Sequence, residues 1–175
     1  MRHGHGKMVY SDNRIYEGEW EGDRRHGFGT LTYPIRRGGV RQYAGEWVEG
    51  EKEGYGIMLY GKNHSYEGEW MRNQHCGWGR MAYPNGEFYE GEWRGGVREG
   101  EGVLLYTGGN VYEGQWEHDR REGKGRFSHL SGVVQVGWVG RDIVTFLSNC
   151  MVFILLWLEW VVGRRCLEMF SSYEE

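Results

Sequence analysis

The residues of this chain that could carry acid–base chemistry are glutamates two positions apart: Glu17/Glu19, Glu67/Glu69 and Glu90/Glu92. A catalytic carboxylate pair needs a desolvated pocket that drives its two pKa values apart. These pairs recur along the chain on an open surface, so no single pocket accounts for them. His3 and His5 would share a strand face and present two nitrogens to a metal, but no Cys or acidic residue completes a convincing set with them. His26 occupies the place before a glycine where Glu53, Cys76, Glu99 and Glu122 stand later, which makes it a repeat position. Gly4-His5-Gly6 is not followed by a helix whose N-terminus would hold a phosphate. Cys76, Cys150 and Cys166 are odd in number and far apart, without a CxxC. They offer neither a disulfide framework nor a zinc site, and they fit a reducing compartment. The residues therefore imply no catalytic group, no cofactor and no metal.

What positions these glutamates is a repeat. Tyr-x-Gly-x-Trp occurs at Tyr16-Gly18-Trp20, Tyr43-Gly45-Trp47, Tyr66-Gly68-Trp70, Tyr89-Gly91-Trp93 and Tyr112-Gly114-Trp116. From the second copy the period is 23 residues, and the first interval is 27 because four extra residues sit around Ile35 to Arg41. Each copy is followed by Gly-x-Gly, at Gly27/Gly29, Gly54/Gly56, Gly77/Gly79, Gly100/Gly102 and Gly123/Gly125, and the same element opens the chain at Gly4/Gly6. Self-similarity at such a period signals an array of small supersecondary units. The spacing divides the chain into a half-repeat (1–10), an array (11–130), a degenerate repeat or linker (131–142) and a C-terminal segment (143–175).

Tyr, Gly and Trp fall at alternate positions, so on a strand they share one face while Glu17 and Glu19 share the other. Gly27, Gly29, Leu31 and Tyr33 alternate likewise. Glu21-Gly22-Asp23, Asn85-Gly86 and Gly108-Gly109-Asn110 supply tight turns. The pattern predicts a mostly β fold: one layer of antiparallel hairpins in a meander, an elongated ribbon on the order of 50 Å long. Strand glycines are destabilising unless something needs them. Each glycine of the Gly-x-Gly pair is expected to leave a gap that an aromatic ring from the neighbouring strand covers. With 31 glycines but 15% aromatic residues, the composition suits such a fold rather than a disordered chain.

The segments YEGEW, HGFG and PNGEFYEGEW resemble the membrane occupation and recognition nexus, or MORN, repeat. The resemblance covers roughly the first three quarters of the chain. It implies a scaffold that binds proteins, in a family several of whose members work in cilia, sperm and membrane–cytoskeleton junctions. It therefore implies a cytoplasmic, cytoskeletal or vesicle-associated location, including the acrosome of spermatids. Some members add a methyltransferase or lipid kinase domain. About 45 residues follow the last hairpin here, too few for either.

A grooved sheet is a surface for helical or extended peptide segments. Phe28, Tyr55 and Trp78 stand at the x of Gly-x-Gly, away from the glycine face, where later repeats carry Glu101 and Lys124. They read either as a protein interface or as a seat for the terminal segment. Arg36, Arg37 and Arg41 form a cationic cluster that reads either as a site for an acidic partner or as a solvated loop. Acidic and basic residues are interleaved, with a net charge of -4, and leave no nucleic-acid footprint. The N-terminus shows no apolar signal stretch.

The run IVTFLSNCMVFILLWLEWVV, residues 143–162, is apolar nearly all round and predicts a helix. At 1.5 Å per residue it would reach about 30 Å, enough to cross a bilayer. Glu159 and the flanking Arg164 and Arg165 argue against a simple span. The segment is thus expected either to cover the sheet end or self-associate, or to make membrane contact as an anchor. Up to Asp142 the chain has 19 Lys and Arg against 21 Asp and Glu, a weak attraction for an anionic leaflet.

Overall fold

Alternation of polar and apolar residues makes strands of nearly every segment between the turns. The structure, a computed structural model, describes residues 1–35, 41–140 and 144–148. Their strands are β1 (Gly4–Val9), β2 (Ile15–Glu21), β3 (Arg24–Tyr33), β4 (Arg41–Val48), β5 (Glu51–Gly61), β6 (His64–Met71) and β7 (Gln74–Ala82). The series continues through β8 (Phe88–Arg94), β9 (Val97–Leu105), β10 (Val111–Glu117), β11 (Arg120–Ser128), β12 (Val134–Val139) and β13 (Val144–Ser148). Each pairs antiparallel with its sequence neighbours, so the described residues form a single open meander with no helix.

Register explains the repeat. Gly6, Gly18, Gly29, Gly45, Gly56, Gly68, Gly79, Gly91, Gly102, Gly114, Gly125 and Gly137 face one another in turn, a file of glycines crossing β1 to β12. Beside it runs a second file, in which Tyr16, Tyr43, Tyr66, Tyr89 and Tyr112 alternate with Leu31, Met58, Met81 and Leu104. All five tyrosines are fully buried, as is Trp47, and Trp20, Trp70, Trp93 and Trp116 nearly so. Within a repeat, a two-residue turn closes the hairpin. Gly22 and Asp23, for example, have φ of 56° and 66°, the geometry whose twist matches that of the strands.

The glycine expectation is right for half of each pair and wrong for the other half. A Cβ on Gly29, Gly56, Gly79, Gly102 or Gly125 would overlap the hydroxyl and ring of Tyr16, Tyr43, Tyr66, Tyr89 or Tyr112, the tyrosine of the preceding strand. The first glycine of each pair is no ring seat. Gly27 has a left-handed φ of 58° where the β2–β3 register shifts, and the Glu19 carboxylate, not a ring, lies over it. A tyrosine reaches one file of glycines only, whereas the bulge one step away needs a backbone that L side chains resist.

The decayed repeat still makes a strand. In β12, Gln135 and Val139 stand where Tyr and Trp would, and Gly137 keeps the glycine file. Val139 is buried in the tryptophan's place. The helix expected from residue 143 does not hold over Val144–Ser148, which pair with β12 as β13. Val and Thr are β-branched and β12 offers an open edge, and an apolar run does not by itself distinguish helix from strand. Residues 149–162 of that expected helix and the tail to 175 lie outside the described residues.

Candidate functional site

The sheet has two unlike faces, and the rings build the first. Each Tyr hydroxyl donates to the backbone carbonyl three residues on, as Tyr43 does to Glu46 at 3.0 Å. Each Trp Nε1 donates to the glycine carbonyl of the repeat before, from Trp20 to Gly6 at 3.1 Å through Trp116 to Gly102 at 3.2 Å. Each Tyr meets its own Trp edge-on, and all but Tyr112 also meet the next repeat's Trp, Tyr43 lying 5.1 Å from Trp47 and 5.2 Å from Trp70. Such contacts contribute about 0.5–1.5 kcal/mol each beyond the area they bury. The result is a continuous herringbone that replaces a second layer.

Sequence reasoning missed the row that roofs this herringbone. Arg2, Arg25, Lys52 and Arg98 place their charges 4.1, 4.1, 4.6 and 4.3 Å above the rings of Trp20, Trp47, Trp70 and Trp116. His75 takes the same place in the third repeat, stacking on Tyr66 at 3.7 Å and touching Trp93. Arg121 follows over Tyr112. The signal was available, since these residues keep the 23- and 27-residue intervals of the Tyr-x-Gly-x-Trp copies. Turn residues hold the row: Asp23, Asn73 and Asp119 accept from the backbone N–H of Arg2, Lys52 and Arg98.

Burial tunes this face. It pushes the hydroxyls of Tyr16, Tyr60 and Tyr112 up to about 12 and raises Tyr43, Tyr66 and Tyr89 as well. It pulls Lys52 down to about 8, helped by Arg41 and Arg25. It also pulls His75 down to about 4, with Lys52 adding to the effect. His75 Nε2 lies 2.9 Å from the Tyr60 hydroxyl, and its buried Nδ1 has no partner among the described residues.

The opposite face holds the sequence candidates. Phe28, Tyr55 and Trp78 are 65%, 51% and 49% exposed, the largest rings on that face of β3, β5 and β7. Alternate strands place them about 10 Å apart in register. Ile57 and Leu59 extend the apolar surface on β5, and Val103 and Leu105 on β9. Arg41 lies elsewhere, its guanidinium 5.0 Å from the Tyr33 ring. Arg36 and Arg37, the rest of the expected cationic cluster, lie outside the described residues.

The glutamate pairs separate into two structural roles. Glu19, Glu46, Glu69 and Glu92 each accept the N–H of the residue between the two glycines, from Phe28 at 2.9 Å to Glu101 at 3.0 Å. Their partners in the pairs meet side chains instead: Glu17 pairs with Lys7, Glu67 accepts from Tyr55, and Glu90 pairs with Arg80. No group of three or more His, Cys, Asp or Glu among the described residues is placed to hold a metal.

A one-layer ribbon whose every hairpin repeats the same herringbone defines a β-repeat protein, in which one face makes the fold and the other is free to vary. The MORN repeat profile matches residues 1–13, 16–35, 43–65, 66–88, 89–111 and 112–132, together more than half of the chain. The chain belongs to the MORN repeat family, whose repeats are commonly protein- or membrane-lipid-binding scaffolds. No curated protein matches the chain. Among solved structures it is similar to the SAS-4 (dCPAP) TCP domain in complex with a proline-rich motif of Ana2 (dSTIL) of Drosophila melanogaster. The identity is 13%, the TM-score 0.37, and 77% of each chain is covered.

Proposed function

We propose that the chain is a non-enzymatic scaffold that binds helical or extended segments of other proteins along the outer face of its sheet. The observation that carries this is the file of Phe28, Tyr55 and Trp78, three large rings held out by residues that the fold does not need to be aromatic. Later repeats place Glu101 and Lys124 at the same register, so the surface changes from apolar to charged along the ribbon. A partner would meet both in one orientation only, with apolar anchors at one end. Within the family, GWGRM, NGEFYEGEW, YEGQWE, GRFSHL and the basic loop IRRGGVRQY resemble MORN repeat-containing protein three. On that likeness the setting is the cytoplasm, in sperm or ciliary cytoskeletal and membrane-associated assemblies, the acrosome and its vesicles included.

The test is proximity labelling with the full chain and with a variant carrying Phe28→Ser, Tyr55→Ser and Trp78→Ser, checked for fold by circular dichroism. Loss of a defined set of labelled proteins supports the reading. An unchanged set from a folded variant removes the outer face from consideration.

A membrane tether is the second reading, motivated by the apolar run 143–162. Among the described residues no helix is long and apolar enough to cross a membrane. Retention in the pellet after carbonate extraction, or binding of residues 1–142 to anionic liposomes, would favour the tether over the scaffold.

A further inference from the structure

Charge on this sheet is sorted by face, which the net charge of -4 conceals. Over the herringbone stand Arg25, Lys52, Arg98 and Arg121, each against a ring. The opposite face is acidic. Across β3 to β8 the register of the exposed rings reads Phe28, Glu46, Tyr55, Glu69, Trp78 and Glu92, with ring and carboxylate on alternate strands. Glu101 and Gln115 continue it over β9 and β10. The next register adds Glu67, Glu90 and Glu113 against one cation, Arg80.

The carboxylates between the rings are held in place by the fold. Glu46, Glu69 and Glu92 each accept one backbone N–H through Oε1, from Tyr55, Trp78 and Glu101. In these two registers the ion pairs are Lys7 with Glu17 and Arg80 with Glu90, so the three carry charge that no cation among the described residues offsets. The fold does not need that charge. Gln115 stands at the same place in the last full repeat and accepts the Lys124 N–H at 2.9 Å, so the bulge is served by an uncharged oxygen as well.

Spacing then selects the shape of the occupant. Alternate strands set ring from ring by about 10 Å, and ring from carboxylate by about 5 Å. An extended segment crossing the strands advances about 6.7 Å between residues on one side, and falls out of step. A helix advances about 10.5 Å in seven residues and about 5 Å in three or four. Over the three rings its mismatch accumulates to about 2 Å, within reach of flexible side chains. We propose that this register seats a basic amphipathic helix of a partner protein. Apolar residues at i, i+7 and i+14 lie over Phe28, Tyr55 and Trp78, and Lys or Arg three or four residues after each lies over Glu46, Glu69 and Glu92. This names the partner of the scaffold surface proposed above and rests on that reading. The anchors supply affinity, and the carboxylates set the sign of the partner and repel an anionic leaflet.

The probe is a fluorescent peptide of three LAQKKAQ heptads, titrated into the full chain. Saturable binding is expected, with helical circular dichroism gained on mixing and affinity falling as salt rises. Glu46→Gln, Glu69→Gln and Glu92→Gln together should weaken it by at least about tenfold in a chain that stays folded, because Gln115 already serves the bulge. On the unchanged chain, a peptide with Glu for every Lys should bind at least about tenfold more weakly, as should one of the same composition with its leucines moved off the heptad. No saturable binding, or binding that the Gln substitutions or the control peptides leave unchanged, would overturn the proposal. So would phosphatidylserine vesicles that bind the chain and release it on Phe28→Ser, Tyr55→Ser and Trp78→Ser, since the face would then belong to a membrane. If the Gln variant labels the same proteins as the unchanged chain while the ring variant loses them, the scaffold reading stands and the basic helix falls.

Discussion

Replacing Gly79 by alanine tests the seat of a ring directly, with Gly6→Ala as its control. Gly79 does not have a left-handed φ, so alanine brings no backbone strain. Restricting the unfolded chain would by itself favour the alanine by about 0.4–1 kcal/mol. Against that, the new Cβ would overlap the Tyr66 hydroxyl and lie 2.6 and 2.7 Å from two of its ring carbons. Tyr66 is fully buried and donates to the Glu69 carbonyl at 2.9 Å. It also meets Trp70 and Trp93 edge-on at 5.2 and 5.4 Å. Lifting the ring surrenders a hydrogen bond of about 1 kcal/mol and part of two aromatic contacts, on top of the cost of overpacking. The net is a loss of about 3 kcal/mol, after the unfolded-state gain is subtracted. At Gly6 the nearest atom is 3.5 Å away, so alanine there should be neutral or slightly stabilising. Urea unfolding followed by tryptophan fluorescence and circular dichroism reads both. Equal midpoints for the two variants would refute the role given to the rings.

Two pH responses follow from the same face. His75 is held near 4 against an ordinary 6.5, so its neutral form is favoured in the fold. Its contribution is complete above pH 6.5 and is lost as pH falls toward 4, by up to about 3 kcal/mol. His75→Arg, the residue type of Arg25, Arg98 and Arg121, should lose less stability over that window in thermal melts, and an identical acid profile would exclude His75 as the cause. At the alkaline end, Tyr16, Tyr60 and Tyr112 are raised to about 12, so their contribution is complete below pH 10 and lost as pH rises toward 12. Three such groups give a slope on the order of 4 kcal/mol per pH unit. Between pH 8 and 10, Lys52 acts oppositely, since its neutral form is favoured in the fold and stability rises with pH by about 1.4 kcal/mol per unit. Tyrosinate absorbance should therefore appear together with loss of near-ultraviolet circular dichroism; titration of these tyrosines with the fold intact would contradict the burial.

The meander was legible because a period of two inside a period of 23 leaves little freedom: Tyr, Gly and Trp must share a face, and turn residues mark where the chain reverses. Three features escaped for identifiable reasons. The bulge at Gly27 inserts residues on one strand only, so strict alternation assigned that glycine the role of Gly29. The cation row stands outside the Tyr-x-Gly-x-Trp motif and varies among Arg, Lys and His, so its spacing was informative while its identity was not. The start of the apolar C-terminal run read as helix because hydrophobicity without alternation carries no period, and pairing with β12 decided Val144–Ser148. Phe28, Tyr55 and Trp78 were located by the same alternation that located the core, whereas the arginines around the long first loop had no repeat to place them.

A one-layer array also constrains where specificity can reside. Tyr, Trp and the second glycine of each pair are fixed by ring overlap, and the Glu or Gln directly after the glycine of each Tyr-x-Gly is fixed by the bulge N–H, so none of them is free to distinguish one partner from another. What remains free is the outer register between the glycines, where Phe28, Tyr55 and Trp78 give way to Glu101 and Lys124. If the chain acts as the proposed scaffold, partners that lie along the ribbon would therefore be told apart by this variable outer row, its apolar rings at β3, β5 and β7 and its charges at β9 and β11.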